Sequence, residues 1–370
     1  MTIRYRNLGA GRRISSIVFA GSHDASITSG SSSAQTQDLN IGQQAAAGVR
    51  FFDLRILAEG NKADGMSLKG YHGGAHKSHK ITAHSSHTNA AHDIKYSTSM
   101  KYGTTGEKLS TMLEQAKTFV SATGEFLILK FDKCKNWDLI AQYCTSILGN
   151  TIYKAADGQE FGDLSLDELG GKVVCVFSES GLQEVAALGH RDGILGFRNL
   201  KGKNGVKPYE AGYPGLQYFG KGGTKTWRVW ATNNMKMAEN EKRQKKLMAK
   251  MANSDSENAR NVLGMMYWTS TGTATSIRVR NANMWKNSGV KRMRDLWKNG
   301  LETSISHQLD AAEIAYVGNH EAGHRMRAFF PNIIMIDFAD TSKCQTIYEL
   351  NTIATSRLTQ AYETYIREDG

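Results

Sequence analysis

The chain has 370 residues, of which 40% are hydrophobic, so it is long enough to bury a large core. Its formal net charge of +11 favours an anionic partner, such as a phospholipid surface, a nucleic acid or a phosphorylated ligand. No apolar run approaches the ~20 residues of a membrane-spanning helix. Zinc-finger spacing and an aromatic–basic RNA-binding signature are both missing from the sequence, so we do not expect a nucleic-acid partner.

Short apolar runs predict buried strands, and weaker runs at Met66–His72 and Ile194–Leu200 add two candidates. The stronger runs are Ile17–Ala20, Val49–Ile56, Phe126–Phe131, Val173–Phe177, Leu263–Trp268 and Ile333–Phe338. Helical spacing of apolar residues predicts helices over 109–120 and 139–148, and a C-terminal helix over 347–366. Strands alternating with helices predict one α/β domain over residues 1–370 with a (β/α)8-like barrel. An open doubly wound sheet is the alternative.

The stretch Ile14–Ile56 carries the first candidate site. His23 and Asp24 follow the first predicted strand, and Asp53 and Arg55 occupy alternate positions of the second, on one face. An arginine offers a planar fork for phosphate oxygens, and a histidine can move a proton near neutral pH. This combination of residue types indicates phosphate chemistry.

Two segments have an unusual composition. Residues 72–92 contain six histidines, and we predict a solvated loop there in preference to a Zn²⁺ or Ni²⁺ site, because the spacing is irregular. Residues 235–252 are basic and rich in methionine, which predicts a helix with an exposed basic face or a role at a membrane surface. Four scattered cysteines predict buried free thiols; they are Cys134, Cys144, Cys175 and Cys344.

Three motifs resemble the bacterial phosphatidylinositol-specific phospholipases C. They are GSHDAS at 21–26, GVRFFDLRI at 48–56 and YHGG at 71–74. Later segments resemble the same family in the same order, so the likeness spans nearly the whole chain; they are 109–133, 169–178, 262–275 and 331–340. The resemblance implies a distorted TIM barrel. It also implies a reaction in which the inositol 2-hydroxyl attacks phosphorus, releasing diacylglycerol and a cyclic inositol phosphate.

The resemblance also implies a role for each motif residue. His23 is expected to be the general base, oriented by Asp337. His72 is expected to be the general acid with Asp24 as its partner, although His76 or His79 could take its place in this histidine-rich segment. Arg55 is expected to hold the non-bridging phosphate oxygens.

A further expectation concerns metals. Eukaryotic relatives of the family use Ca²⁺, and a guanidinium at Arg55 would repel a bound cation and supply the same positive charge. We therefore predict catalysis without a metal or other cofactor. Asp53 is expected to orient the site around Arg55.

The sequence departs from the family where the sugar is held. A family lysine aligns with Asp132, so we expect Lys130, on the same face, to serve the phosphate. The family's inositol-binding arginine is absent, and Glu179 stands in that region. Lys225 and Trp227 replace an Asp-x-Tyr pair, which predicts stacking of Trp227 on a sugar ring and a head group that carries an extra phosphate.

Three alternatives remain at this point. A glycerophosphodiesterase has paired histidines but needs a metal and acidic ligands, and Arg55 argues against it. HEAGH at 320–324 fits the zinc-protease pattern, but its surrounding glycines and Pro331 suit a long helix poorly. A catalytically inactive lipid-binding module is disfavoured by the two histidines.

The expected partners are an anionic membrane surface, bound peripherally, and an inositol-phosphate head group. The apolar run near the N-terminus is short and interrupted by serines, so we do not predict a signal peptide. We favour a secreted protein or a delivered effector or toxin that acts at a membrane surface, with a cytosolic enzyme as the alternative.

Overall fold

A computed structural model describes most of the chain. The described residues are 2–61, 65–75, 78–84, 91–97, 100–185, 187–202, 206–220, 224–226, 233–252, 262–272, 276–310 and 330–357. The strands are β1 Phe19–Ser22, β2 Val49–Leu54, β3 Ile56–Asn61, β4 Gly65–Ala75, β5 Ser78–His84, β6 Ala91–Ser97, β7 Met100–Lys108, β8 Leu127–Phe131, β9 Val173–Ser178, β10 Ile194–Asn199, β11 Leu216–Gly220, β12 Thr224–Thr226, β13 Leu263–Trp268, β14 Ser270–Gly272 and β15 Ile333–Ile336. The α-helices are α1 Ile41–Ala47, α2 Leu109–Thr123, α3 Trp137–Leu148, α4 Glu179–Glu184, α5 Asn233–Ala252, α6 Ile277–Met284, α7 Asn287–Asp310 and α8 Thr341–Tyr348.

Eight parallel strands close into a barrel in the order β1, β2, β8, β9, β10, β11, β13, β15. Their residues are buried almost throughout, because helices cover the outer face and side chains fill the inside. This confirms the predicted (β/α)8-like barrel. The carboxyl ends of its strands meet at one rim, where functional residues of such barrels gather.

One barrel strand was not predicted and one candidate was placed in the wrong sheet. The missed strand is β11, whose short sequence LQYFG contains polar residues that interrupt its apolar pattern. The candidate Met66–His72 does form a strand, within β4, but outside the barrel. The predicted strand Val49–Ile56 is divided at Arg55: β2 ends in the barrel and β3 continues into a second sheet.

That second sheet has the strand order β5, β6, β3, β4, β7 and is mostly antiparallel. The prediction of a loop over the histidine-rich segment was therefore wrong, because His72, His79, His84 and His92 belong to β4, β5 and β6. His76 and His87 lie outside the described residues. Strands with polar side chains on one face lack a continuous apolar run, so their composition resembles that of a loop.

The helix predictions are largely confirmed. Helices α2 and α3 lie where apolar spacing predicted them, and α5 covers the basic, methionine-rich stretch. At the C-terminus the structure has α8 followed by helical residues 350–357, so the predicted helix begins earlier and in two pieces. All four cysteines are buried and free, as predicted. In the described part of the chain, no helix is long and apolar enough to cross a bilayer.

A buried ion pair closes the end of the barrel opposite the rim. The fully buried Arg50 donates from Nε to Glu125 at 3.1 Å, and its other nitrogens donate to the carbonyl oxygens of Ala45, Val49 and Ile3. Glu125 also accepts the backbone N–H of Tyr5 at 3.1 Å. The pair thus fixes the N-terminal segment to the base of β2.

We predict that Glu125→Ala lowers the free energy of unfolding by about 3–5 kcal/mol, because Arg50 then remains buried without its counter-charge. The measurement is urea unfolding followed by circular dichroism. As a control, Asp167→Ala removes the partner of Arg6 in a pair whose carboxylate is 65% exposed, and it should cost less than about 1 kcal/mol. Equal losses in the two variants would contradict the structural role of the buried pair.

Candidate active site

The buried carboxylate of Asp24 lies at the centre of the candidate site. It follows β1, and its Oδ1 forms an ion pair with Arg55 Nε at 3.1 Å. Its Oδ2 lies 3.6 Å from His23 Nε2 and 3.5 Å from His72 Nε2. The structure therefore brings the two histidines and the arginine together around one carboxylate. Burial alone would raise the Asp24 pKa, but the charges of His23, Arg55 and His72 lower it.

His23 is held on its other side by Asp337, which follows β15. His23 Nδ1 lies 3.0 Å from Asp337 Oδ1, and because a carboxylate only accepts, Nδ1 carries the hydrogen. Asp337 Oδ2 in turn accepts from Asn281 Nδ2 of α6 at 3.0 Å. This arrangement leaves His23 Nε2 directed at the site, as a general base requires.

The electrostatic environment of His23 favours its charged form. Burial would lower its pKa, but the negative charges of Asp24 and Asp337, together with the Asp337 hydrogen bond, raise the pKa to about 9. At neutral pH the free site therefore holds an imidazolium at His23, which attracts an anionic substrate. Only the neutral fraction of His23 can accept a proton.

His72 reaches the site from β4, outside the barrel. Its Nδ1 donates to the carbonyl oxygen of Ala34 at 2.8 Å, which leaves Nε2 facing Asp24. The pairing of β4 with β7 shifts register on both sides of His72, and such irregularities re-aim side chains. On β7, Gly103 pairs with Gly73, the residue after His72. Gly103 has a φ of +112°, and a Cβ there would lie 1.9 Å from the His72 carbonyl oxygen. A glycine at 103 therefore permits the close approach of β7.

A second charged pair lies beside the histidines, inside the barrel. Lys130 Nζ is 2.8 Å from Asp53 and 3.3 Å from Asp132. Burial would lower the Lys130 pKa, but these carboxylates, Asp53 above all, hold it well above its usual range. The phenols of Tyr218 and Tyr267 lie close enough to Lys130 and its carboxylate partners to interact with their charges, and burial raises the pKa of both tyrosines. The Tyr267 ring meets the His23 ring edge-on, with centroids 6.0 Å apart.

The cluster of His23, Asp24 and Asp53 brings one possible metal-ligand atom from each residue within 4.8 Å of the others. Both carboxylates, however, already have cationic partners, since Arg55 pairs with Asp24 and Lys130 with Asp53. A divalent ion at this point would face two positive charges. The donor set therefore suits an anionic substrate better than a metal ion.

Two residues next to the site have left-handed backbone conformations. Asp24 has a φ of +43° and Phe338, next to Asp337, has a φ of +50°. Such conformations cost non-glycine residues about 1–3 kcal/mol each and persist only where the surroundings enforce them. Both turns carry a carboxylate partner of His23.

Comparison with solved structures identifies proteins of similar architecture. A mutant of phosphatidylinositol-specific phospholipase C from Staphylococcus aureus superposes with a TM-score of 0.51 at 14% identity, covering 93% of this chain and 96% of the other. A second structure, concerned with modulation of membrane binding by the S. aureus enzyme, gives 0.51 and 14% over 92% and 95%. The chain shares the fold of a bacterial phosphatidylinositol-specific phospholipase C. No protein-family model and no curated protein sequence matches the chain.

Not all the predicted phospholipase-like positions join the cluster. Glu179 begins α4 and forms ion pairs at 3.6 Å with Arg198 and Lys207, and no described contact connects it with the histidines. Trp227 and the HEAGH motif at 320–324 lie outside the described residues. Lys225 lies in β12, which pairs with β14 in a separate two-stranded sheet.

Two contacts of the site have no signal in the sequence. Asn281 holds Asp337 from α6, and nothing distinguishes it from any other asparagine in a helix. The Ala34 carbonyl oxygen that orients His72 is a backbone atom, which no motif can reveal. Both depend on how the connections after β1 and β14 fold over the rim.

We predict that the stability of the protein falls as the pH rises from about 6.5 to about 9. The His23 pKa is raised to about 9 in the folded state from its ordinary value of 6.5. The free energy of unfolding that protonated His23 contributes is therefore fully present below the pKa of His23 in the unfolded state. It is lost as the pH rises through the pKa of His23 in the folded state. By linkage the difference is about 3 kcal/mol, measurable by urea unfolding across this pH range.

His23→Asn should remove this pH-dependent component. The matched control is His190→Asn, because His190 pairs with Asp157 at the surface, away from the cluster. An unchanged pH dependence in His23→Asn would show that His23 is not the group responsible.

Proposed function

We propose that the protein is a phosphodiesterase of the phosphatidylinositol-specific phospholipase C type. The observation that carries the proposal is the Asp24 carboxylate between the Nε2 atoms of His23 and His72, with Arg55 on its other oxygen. Its position at the rim of a barrel shared with the S. aureus enzyme supports the same assignment. We propose a phosphatidylinositol-type phospholipid as the substrate, with diacylglycerol and a cyclic inositol phosphate as the products.

In the proposed reaction the inositol 2-hydroxyl attacks phosphorus, and its proton passes to the neutral Nε2 of His23. The bond between phosphorus and the diacylglycerol oxygen breaks, and His72 Nε2–H protonates that leaving oxygen. Asp337 stabilises the imidazolium that forms at His23, and Asp24 does the same for the charged His72. Arg55 carries the positive charge that offsets the growing charge on the non-bridging oxygens. Since His23 must be neutral and His72 protonated, kcat/KM should follow a bell-shaped pH profile, and the neutral fraction of His23 grows as the pH rises towards its pKa of about 9.

Lys130 and Asp53 are proposed to contact the substrate from inside the barrel. Their pairing at 2.8 Å beside Tyr267 forms a polar wall next to His23, as the hydroxyl groups of an inositol ring require. We also propose Glu179 and Trp227 as substrate-binding residues. A glycerophosphodiesterase is the weaker candidate, because its metal would compete with Arg55 and Lys130 for the same carboxylates.

The decisive measurement is product analysis by ³¹P NMR on phosphatidylinositol vesicles with and without EDTA. We expect cyclic inositol phosphate, at a rate that EDTA does not change.

His23→Ala and His72→Ala should each lower kcat by about 10²–10⁴-fold, and Arg55→Lys by about 10²–10³-fold because the planar fork is lost. His190→Ala, at the surface, should retain activity. Loss of activity in EDTA with recovery on adding a divalent ion would favour the glycerophosphodiesterase.

The surface around the rim supports peripheral binding to an anionic membrane. Among the described residues, the large hydrophobic side chains that are exposed are Val206, Met235 and Val279, at 36%, 44% and 56%. All three follow carboxyl ends of barrel strands, since they come after β10, β11 and β13. We propose that these exposed apolar side chains, together with the attraction of a chain of net charge +11 for anionic lipid, hold the protein at a membrane surface.

We predict that replacing Val206, Met235 and Val279 together by serine weakens binding to vesicles containing anionic lipid by about tenfold or more, because apolar burial at the interface is lost. Sedimentation with vesicles measures the effect. Thermal unfolding should be unchanged, since the three side chains are exposed. Vesicle binding equal to that of the unaltered protein would exclude the rim as the contact surface.

A further inference from the structure

The connection between β1 and α1, residues 25–40, crosses the rim beside the catalytic cluster. Two of its polar side chains, those of Thr36 and Gln37, are completely buried. Neither residue touches the substrate-facing atoms of the histidines. Both instead form hydrogen bonds with the backbone next to His23 and Asp337.

Gln37 joins the ends of β1 and β15 through its side-chain amide. Its Nε2 donates to the carbonyl oxygen of His23 at 2.9 Å and to that of Ile336 at 3.4 Å. Its Oε1 accepts the backbone N–H of Ala339 at 2.9 Å. One side chain thus bonds to the residue before Asp337, to the residue two positions after it, and to His23 itself.

Thr36 makes a second link between the same two segments. Its hydroxyl donates to the carbonyl oxygen of Asp24 at 2.8 Å. Its own carbonyl oxygen accepts the backbone N–H of Phe338 at 2.7 Å. The residues it bonds, Asp24 and Phe338, both have left-handed backbone beside the site.

We propose that Thr36 and Gln37 are positioning residues that set the separation and angle of the His23 imidazole and the Asp337 carboxylate. The inference rests on the proposed function, in which this pair forms the general base. His23 and Asp337 come from different strands, and each precedes a left-handed turn that ordinary side chains adopt only under constraint. The hydrogen bonds of Thr36 and Gln37 provide that constraint and apply it to both turns at once.

The His23 pKa reports this geometry independently of any substrate. The titratable groups facing His23 are Asp24 after β1, Asp53 in β2, His72 in β4, Tyr267 in β13 and Asp337 after β15. If the Gln37 bonds are lost, the 3.0 Å contact to Asp337 lengthens, and the stabilisation of the imidazolium declines while the burial remains. The pKa should then fall.

The test compares Gln37→Met with Gln44→Met in the full chain labelled with ¹⁵N-histidine, with the His23 resonance assigned from a His23→Gln sample. Gln44 is an equally buried glutamine of α1 that donates to the carbonyl oxygens of Ala25 and Leu39 at 2.9 and 2.6 Å. We expect the His23 pKa to fall by about one unit or more in Gln37→Met and to change by less than about 0.3 unit in Gln44→Met. Equal shifts in the two variants, or none in Gln37→Met, would overturn the proposal.

Thr36→Val gives an independent test that preserves side-chain shape, and so remains informative where Gln37→Met does not fold. It removes the bond to Asp24 but keeps the carbonyl oxygen that holds Phe338, so a smaller fall in the His23 pKa is expected. On phosphatidylinositol, Gln37→Met should lower kcat by about tenfold or more with little change in KM, because the base is misplaced while the binding groups remain. If the unaltered protein does not cleave phosphatidylinositol, the proposed function fails, and the NMR comparison still decides the role of Gln37.

Discussion

The buried charge of Asp24 is the constraint on which the rest of the site depends. A carboxylate removed from water is very unfavourable unless cations and hydrogen bonds compensate it. Here compensation comes from three directions, because His23 follows the same strand, Arg55 follows β2, and His72 reaches in from a separate sheet. Folding must therefore bring these elements together to offset the free-energy cost of burying the Asp24 carboxylate. The same arrangement places two imidazoles and a guanidinium around a space that a phosphate group can enter.

The protein uses two kinds of ion pair at the two ends of its barrel. At the closed end, Arg50 and Glu125 are fully buried and satisfy each other and the backbone, which fixes the N-terminus and leaves no capacity for a ligand. At the rim, His23 and Arg55 remain partly exposed, with 14% and 20% of their side chains accessible. The motif GVRFFDLRI supplies one arginine to each end of the barrel. Arg50 lies near the start of β2, at the closed end, and Arg55 directly follows β2, at the rim.

The sequence predicts the barrel and the inner part of the site because the information there is local. Apolar runs reveal strands that are buried on both faces, and His23, Asp24 and Arg55 stand directly after two of them. The second sheet was not predicted, since its polar strands have the composition of a loop. Asn281 and the Ala34 carbonyl could not be predicted either, because they meet Asp337 and His72 only through the tertiary path of the connections.

The placement of His72 makes the candidate site depend on strand pairing outside the barrel. His72 belongs to β4, which pairs with β3 and β7 and not with any barrel strand. Successive residues of a strand face opposite sides, so a slip of one residue between β4 and its neighbours would turn this imidazole away from Asp24 while leaving the barrel intact. Asp24 would then lose its contact with His72 Nε2. The register of a peripheral sheet thus decides whether a fully folded barrel has a complete pair of histidines.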